Sequence, residues 1–398
     1  MAAGQAAQRG LKVILLEKKN EPAKKLRITG NGRCNLTNTL PLDEFIPHFG
    51  RSGKFLKTAF SEFFSKELIR FFESIGVKTS VDHRGRIYPR SNSADDVAEA
   101  LIKWVSKCGV KIINQAAAKG ILVERRKIIG VQIQGWKKDL DANAIVIATG
   151  GASYPGTGSS GDGYRLAELL GHNIMPIRPA SVPLITEVGL AGRLKGTSLK
   201  GITVSVKVDG KFAVKDSGDL LFTHFGVSGP AVLNISGRCV EEMKSGKSVS
   251  ISIDMLPNLK ENQAERVLLQ QFDQHGKAQI QTILKRWMPA KMASEFLREI
   301  GIEPSTPCSQ IKSKQRGKIR GALRGFEIKI VGHRPLAEAQ VTAGGVSLKE
   351  VDPQTMESRL IKGLYFAGEV LDLDADTGGF NLQSAFSTGW LAGRKCHA

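Results

Sequence analysis

The chain is poor in cysteine. Five thiols, Cys34, Cys108, Cys239, Cys308 and Cys396, are spread over 398 residues without a C-x-x-C pair. Their odd number and wide spacing exclude a disulfide framework and a structural zinc site. Long apolar runs are also missing: nothing approaches the roughly 20 residues of a membrane-spanning helix. The first residues lack a basic region followed by an apolar stretch, as a secretory leader would have. The expectation is a cytoplasmic protein with no membrane partner. Aromatic residues are only 6% of the chain and form no obvious platform on which bases could stack. Acidic residues are outnumbered, 38 against 57 Lys and Arg, which leaves a formal charge of +19. A field of that sign favours polyanions or anionic substrates, and it also serves solubility alone. Internal repeats and low-complexity tracts are absent.

What is present begins with MAAGQAAQRGLKVILLEKK. Small helix formers run to a glycine stop at Gly10, and the apolar run from Leu11 to Glu17 reads as a buried parallel strand. An acidic residue at such a strand end suits the second strand of a dinucleotide-binding βαβ unit, where it takes ribose hydroxyls. The strand and glycine-rich turn that should precede it do not. Glu17 also reads as an ordinary solvated strand end.

Helices are expected near Ser65–Ile75 and over Ser93–Cys108, the latter capped by Ser93, with Asp95 and Asp96 in its first turn and Gly109 as its stop. Short strands follow at KIIN, GILVER, KIIGVQIQ and AIVIATGG. From about Pro183 to Pro257 the texture is β-rich, and from Lys260 to about Leu323 it is helical. Strand character returns at FEIKIVG and LYFAGEV. The fold class is α/β: one nucleotide-binding domain, residues 1–182 and 326–398, split by a β-rich insert at 183–258 and a helical one at 259–325.

Three segments carry chemistry. GNGRCNLTN, from Gly30 to Asn38, combines two glycines with Arg33, Cys34, Asn35, Thr37 and Asn38, a loop able to approach a ligand closely or a plain polar turn. AIVIATGGASYPGTGSSGDGY ends a strand in Thr149, Gly150 and Gly151. Its GTGSSGDG stretch resembles a phosphate cradle, but no Lys-Ser or Lys-Thr closes it as in a Walker A loop. LYFAGEVLDLDADTGGFNLQSAFSTGW places Gly368 and Glu369 at a strand end, and Gly378, Gly379, Phe380 and Asn381 before a helix of small residues. A helix N-terminus stabilises negative charge by about 0.3–1 kcal/mol when exposed and up to about 2 when partly buried, which suits a reduced flavin.

Together with LLFTHFGVSGPAVLNIS and AEAQVTAGGV, in the same order, these motifs resemble the bacterial BaiN/RdsA-type NAD(P)/FAD-dependent oxidoreductases, also described as aminoacetone oxidase-like flavoproteins. The resemblance covers nearly the whole chain. It implies a two-dinucleotide-binding, Rossmann-like FAD fold interrupted by a β-barrel-like and a helical subdomain. It further implies that NAD(P)H passes a hydride to FAD, which reduces an activated carbon–carbon double bond. Glu17 would hold the adenosine ribose, with Lys18 beside it. Gly150 and Gly151 would lie near the cofactor, Glu369 near the ribityl chain, and Gly378 to Asn381 against the flavin ring. Gly32, Arg33, Asn35, Thr37, Thr149 and Gly368 complete the expected cofactor set. Family members begin with a strand and a glycine-rich turn just ahead of the helix that opens here, so the expectation is that an internal Met stands as the first residue and that FAD binding depends on the preceding segment.

For the proton donor, Cys34 is a candidate because the charge of Arg33 would lower its pKa, against the alternative of a packed thiol. His224, in FTHFGVSGP, is the second candidate, against that of a core histidine. The substrate is expected to be a uridine in ribosomal RNA: Ile311–Arg334 carries eight Lys or Arg against one Glu and could track a phosphate backbone. A small-molecule enone or an amine oxidase-like reaction is the alternative, and a flavin-free basic RNA-binding remnant is the reading from another class. No motif marks the nicotinamide site.

Overall fold

The computed structural model describes residues 1–397. The chain divides into two compact units, one built from Met1–Arg178 and the segment from Gln340 onward, the other from Pro179–Ala339.

The first unit opens on the helix Ala2–Gln8, whose small residues have a packing reason. A Cβ on Gly4 would fall 2.2 Å from the Trp104 ring, and one on Gly393 of the C-terminal helix, Phe380–Lys395, would fall 2.3 Å from the Ala2 carbonyl oxygen. The two helices therefore meet backbone to backbone. The apolar run that follows becomes the strand Ile14–Leu16, parallel to Lys111–Ile113, and Ile145–Ile147 runs parallel to Leu364–Phe366. Such parallel pairs read as continuous apolar runs because both their faces are covered. The helix Ala94–Lys107 starts where its cap was expected: the Ser93 hydroxyl accepts from the Asp96 N–H at 3.3 Å. Two antiparallel excursions complete the unit, Thr37–Asn38 with Thr79–Val81 and Arg86–Pro89, and a meander of Ala118–Glu124, Lys127–Ile133 and Leu140–Asp141.

The second unit is a closed six-stranded barrel with helices packed on it. Its strands follow the order Leu184–Thr186, Gly226–Ser228, Lys211–Phe222, Ser198–Val208, Val249–Asp254 and Phe326–His333. Two boundaries differ from those read in the sequence. Phe326–His333 pairs with both Val249–Asp254 and Leu184–Thr186, so it closes the barrel and does not open the second half of the nucleotide-binding domain. Its alternation, with Phe326, Ile328 and Ile330 buried and Glu327 and Lys329 exposed, announces a strand but not the sheet that receives it. The helical stretch is also no separate body. Leu268, Phe272, Ile283, Phe296 and Leu323 join Val204, Val206, Ile251 and Ile253 of the barrel in one core.

In the first unit, His172 is buried against Glu350 (Nδ1 to Oε2, 3.2 Å) and Ser358 (Nε2 to Oγ, 2.8 Å). Burial lowers its pKa and outweighs the opposing Glu350 charge and hydrogen bond. Below about pH 6.5 the unfolded chain therefore takes up a proton that the folded chain refuses, and stability is lost as pH falls. Melting curves from pH 7.5 to 5.5 should show this loss, with a shallower slope for His172→Gln.

Candidate functional site

Two of the three quoted segments meet at Glu369, just beyond the strand Leu364–Phe366. Its carboxylate accepts from the Thr342 N–H at 2.8 Å and the Gly151 N–H at 3.2 Å, and pairs with Lys25 at 2.5 Å. Lys25 also donates to the Ser153 hydroxyl at 2.9 Å, and the Thr342 hydroxyl accepts from the Ala152 and Ser153 N–H groups. One carboxylate thus holds together the helix that begins at Lys24, the glycine-rich loop and the strand Val341–Val346. The loop cannot carry side chains at its closest points. A Cβ on Gly151 would stand 2.4 Å from the Thr342 hydroxyl, and one on Gly150 2.7 Å from the Ser159 hydroxyl. Thr149 is exposed at the start of this loop.

GNGRCNLTN meets the C-terminal motif. Gly379 adopts φ +97°, where a Cβ would lie 2.4 Å from the Thr37 carbonyl oxygen, and the Asn38 amide donates to the Gly378 carbonyl at 3.2 Å. The Phe380 ring lies against Gly378, and the Asn381 side chain bonds the Ala375 N–H and C=O. Gly368 donates to the Thr388 hydroxyl of the C-terminal helix. That helix begins at Gly379 with no side-chain cap among the described residues. Asn35 Oδ1 is buried and has no hydrogen-bond partner among the described residues. Glu17 and Lys18 lie beside the GTGSSGDG loop: Glu17 accepts from the Lys19 N–H at 2.8 Å, Lys18 pairs with Asp162, and both side chains approach Gly158.

The two proton-donor candidates, Cys34 and His224, sit in surroundings other than those expected from their sequence neighbours. Arg33 is exposed, with Gly32 beside it, and its guanidinium sits over the Tyr88 ring at 4.7 Å. Cys34 is wholly buried, and burial pushes its thiol up to about 12, the reverse of the lowering expected from Arg33. Neighbours in sequence point apart here. Cys34→Ala is expected to keep wild-type turnover and to lose about 1 kcal/mol of stability through a small cavity. A fall in turnover of about a hundredfold would restore the thiol as the acid. His224 belongs to the second unit and is exposed, in edge contact with the Phe225 ring at 4.9 Å, and is no packed core residue.

Lys25, Ser153 and Thr342 were not singled out in the sequence. Ser153 and Thr342 lie inside quoted motifs and could have been found there, whereas nothing local marks Lys25.

Residues 1–395 match the family described as HI0933-like protein Rossmann domain. The chain belongs to this family. A relative from Clostridium scindens, a 3-dehydro-bile acid delta(4,6)-reductase, is 33% identical over 96% of this chain and 92% of its own length. A ribosomal RNA dihydrouridine synthase from Escherichia coli is 30% identical over 97% of this chain and 92% of its own. Among solved structures, 3-ketosteroid delta1-dehydrogenase from Sterolibacterium denitrificans shares the fold at TM-score 0.51 and 13% identity, over 98% of this chain and 96% of that one. A quinol-fumarate reductase does so at TM-score 0.50 and 16% identity, over 99% and 67%. This HI0933-like chain is an enzyme, an oxidoreductase of the flavoprotein class. Among its described residues no helix is long and apolar enough to cross a membrane.

Proposed function

We propose that the chain is an FAD-dependent reductase of a carbon–carbon double bond conjugated to a carbonyl, with NAD(P)H as hydride donor. The carrying observation is the pair of glycine cradles in the first unit, at Gly150–Gly151 and at Gly378–Gly379, each backed by polar groups. They fit FAD: the glycines let each turn pack tightly on Ser159, Thr342 and Thr37, which fixes the backbone that would face the cofactor, and the orphaned Asn35 Oδ1 is an acceptor waiting for a donor. In this reading Glu17 and Lys18 hold the adenosine ribose, and Glu369 orients the loop along the ribityl chain. The end of Phe380–Lys395 favours negative charge at the flavin's pyrimidine edge. When bound, FAD supplies hydride transfer, and the chain's own residues orient it and exclude water.

The names of the two relatives describe one chemistry, saturation of a double bond in conjugation with a carbonyl, on a bile acid and on a uridine in ribosomal RNA. The formal charge of +19 favours the RNA uridine as substrate. The small enone is the second reading, favoured by the fate of the basic stripe. Arg320, Arg324, Lys329 and Arg334 are ion-paired to Glu265, Asp254, Glu187 and Glu338, so half of its eight charges already have partners. Lys312 and Lys314 remain exposed.

The test is the visible spectrum of the purified chain, followed by anaerobic reoxidation of its reduced flavin with a uridine-containing ribosomal RNA transcript or with 2-cyclohexenone. Reoxidation by RNA with dihydrouridine formed supports the first reading. Reoxidation by the enone alone supports the second, and a colourless chain that still binds RNA in a salt-dependent way supports the binding remnant.

A further inference from the structure

His48 lies at the C-terminal flavin motif, although no pattern in the sequence marks it. Its Nδ1 is 2.8 Å from Asp376 Oδ2, and the Asp376 N–H points back to the His48 carbonyl at 3.4 Å. One face of the imidazole stacks on Phe380, with centroids 3.9 Å apart and planes 20° from parallel. Phe380 is itself in contact with Phe45, edge-on at 4.7 Å, and with Gly378. The loop carrying Asp376 is held by Asn381, which bonds the carbonyl oxygens of Ala375 and Asp376. The ring is thus held by a carboxylate, a stacking partner and a clamped loop. Nε2 lies on the edge away from the carboxylate, and the side chain keeps 31% of its surface open.

Saturating a conjugated double bond consumes a hydride and a proton. The hydride goes to the carbon far from the carbonyl, the π electrons move onto the carbonyl oxygen to give an enol that ketonises in water, and the proton needed is the one that meets the charge developing on that oxygen. We infer that His48, oriented by Asp376, donates that proton from Nε2 to the substrate, a proposal that rests on the reading of the chain as such a reductase. FAD, when bound and reduced by NAD(P)H, would supply the hydride, and solvent would return the proton to the imidazole. Asp376 accepts from Nδ1–H, which orients the ring and leaves Nε2 as the nitrogen free to face a substrate. The arrangement separates the two deliveries, since the proton source is a side chain of the Ile46–Leu56 turn and not of the cofactor cradle.

The experiment uses the full chain carrying FAD, as wild type, His48→Gln and Asp376→Asn. Bound flavin is reduced anaerobically with dithionite, then mixed with 2-cyclohexenone or the ribosomal RNA transcript. Reoxidation should slow by about a hundredfold or more in His48→Gln, with KM little changed, and by a smaller factor in Asp376→Asn. Flavin content and melting temperature should stay at the wild-type level. A second readout needs no turnover: 4-chlorophenolate, whose oxygen imitates the developing enolate, should bind about tenfold more weakly to His48→Gln, as loss of one charge-assisted hydrogen bond predicts. Unchanged reoxidation in His48→Gln overturns the inference and leaves the function standing. So does a rate loss that merely follows flavin loss in both variants. If neither substrate reoxidises the wild type while chlorophenolate binding still depends on His48, the function reading fails and the placement of His48 at the ring survives.

Discussion

Glu369→Ala is expected to cost about 2–4 kcal/mol of stability and to empty the chain of flavin. The carboxylate is the common acceptor of the Thr342 and Gly151 N–H groups and the partner of Lys25. Removing it leaves two backbone donors without that acceptor and a half-buried ammonium with only the Ser153 hydroxyl, which costs more than the lost attraction because these groups have already given up water. Lys25→Met alone should cost less, since the remaining carboxylate keeps its backbone donors. The double variant should fall short of the sum of the singles, because both changes break the same pair. Denaturant titration of the four proteins with flavin absorbance measured alongside checks this. A strictly additive double variant would show that the two side chains do not act together.

Gly379→Ala should be as damaging by a different route. Gly379 combines φ +97° with a Cβ position 2.4, 2.5 and 2.8 Å from the O, C and Cα atoms of Thr37. All three are backbone, so no side chain can swing aside. The left-handed conformation alone costs roughly 1–3 kcal/mol, and relief of the clash would push apart the GNGRCNLTN loop and the start of the C-terminal helix. Gly10→Ala isolates the first of these terms: φ is +86°, and the added carbon would meet nothing within 4 Å among the described residues. The expected order is a modest loss of about 1 kcal/mol at Gly10 with flavin retained, and a larger loss at Gly379 with flavin binding abolished. Equal losses at the two positions would mean that the contact with Thr37 yields.

Much of this could be read before any fold was known. Helix Ala94–Lys107 starts at the Ser93 cap because a short hydroxyl side chain followed by acidic residues satisfies orphan N–H groups and the helix dipole. The barrel strand Val249–Asp254 alternates in burial as it alternates in polarity, and the glycine pairs at 150–151 and 378–379 mark places where backbone must come close. Motif order carried the family as well. The cap, the alternation and the glycine pairs each lie within a short stretch of chain, and motif order is a property of the sequence itself, so the sequence contains them entire.

Other features depended on residues far apart in the chain. The barrel took Phe326–His333 across the helical segment because an apolar face needs a partner, and pattern alone does not say which. Cys34 lost the influence of Arg33 once the guanidinium found Tyr88 and the thiol was buried. The same holds for Lys25 with Glu369, and for His48 with Asp376 and Phe380, which no local motif joins. Secondary structure and close backbone approach follow from sterics and hydrogen bonding among near neighbours, and so the sequence by itself determined them. Desolvation and charge pairing sum over everything within a few ångströms in space, and so only the tertiary structure decided the electrostatics of the site.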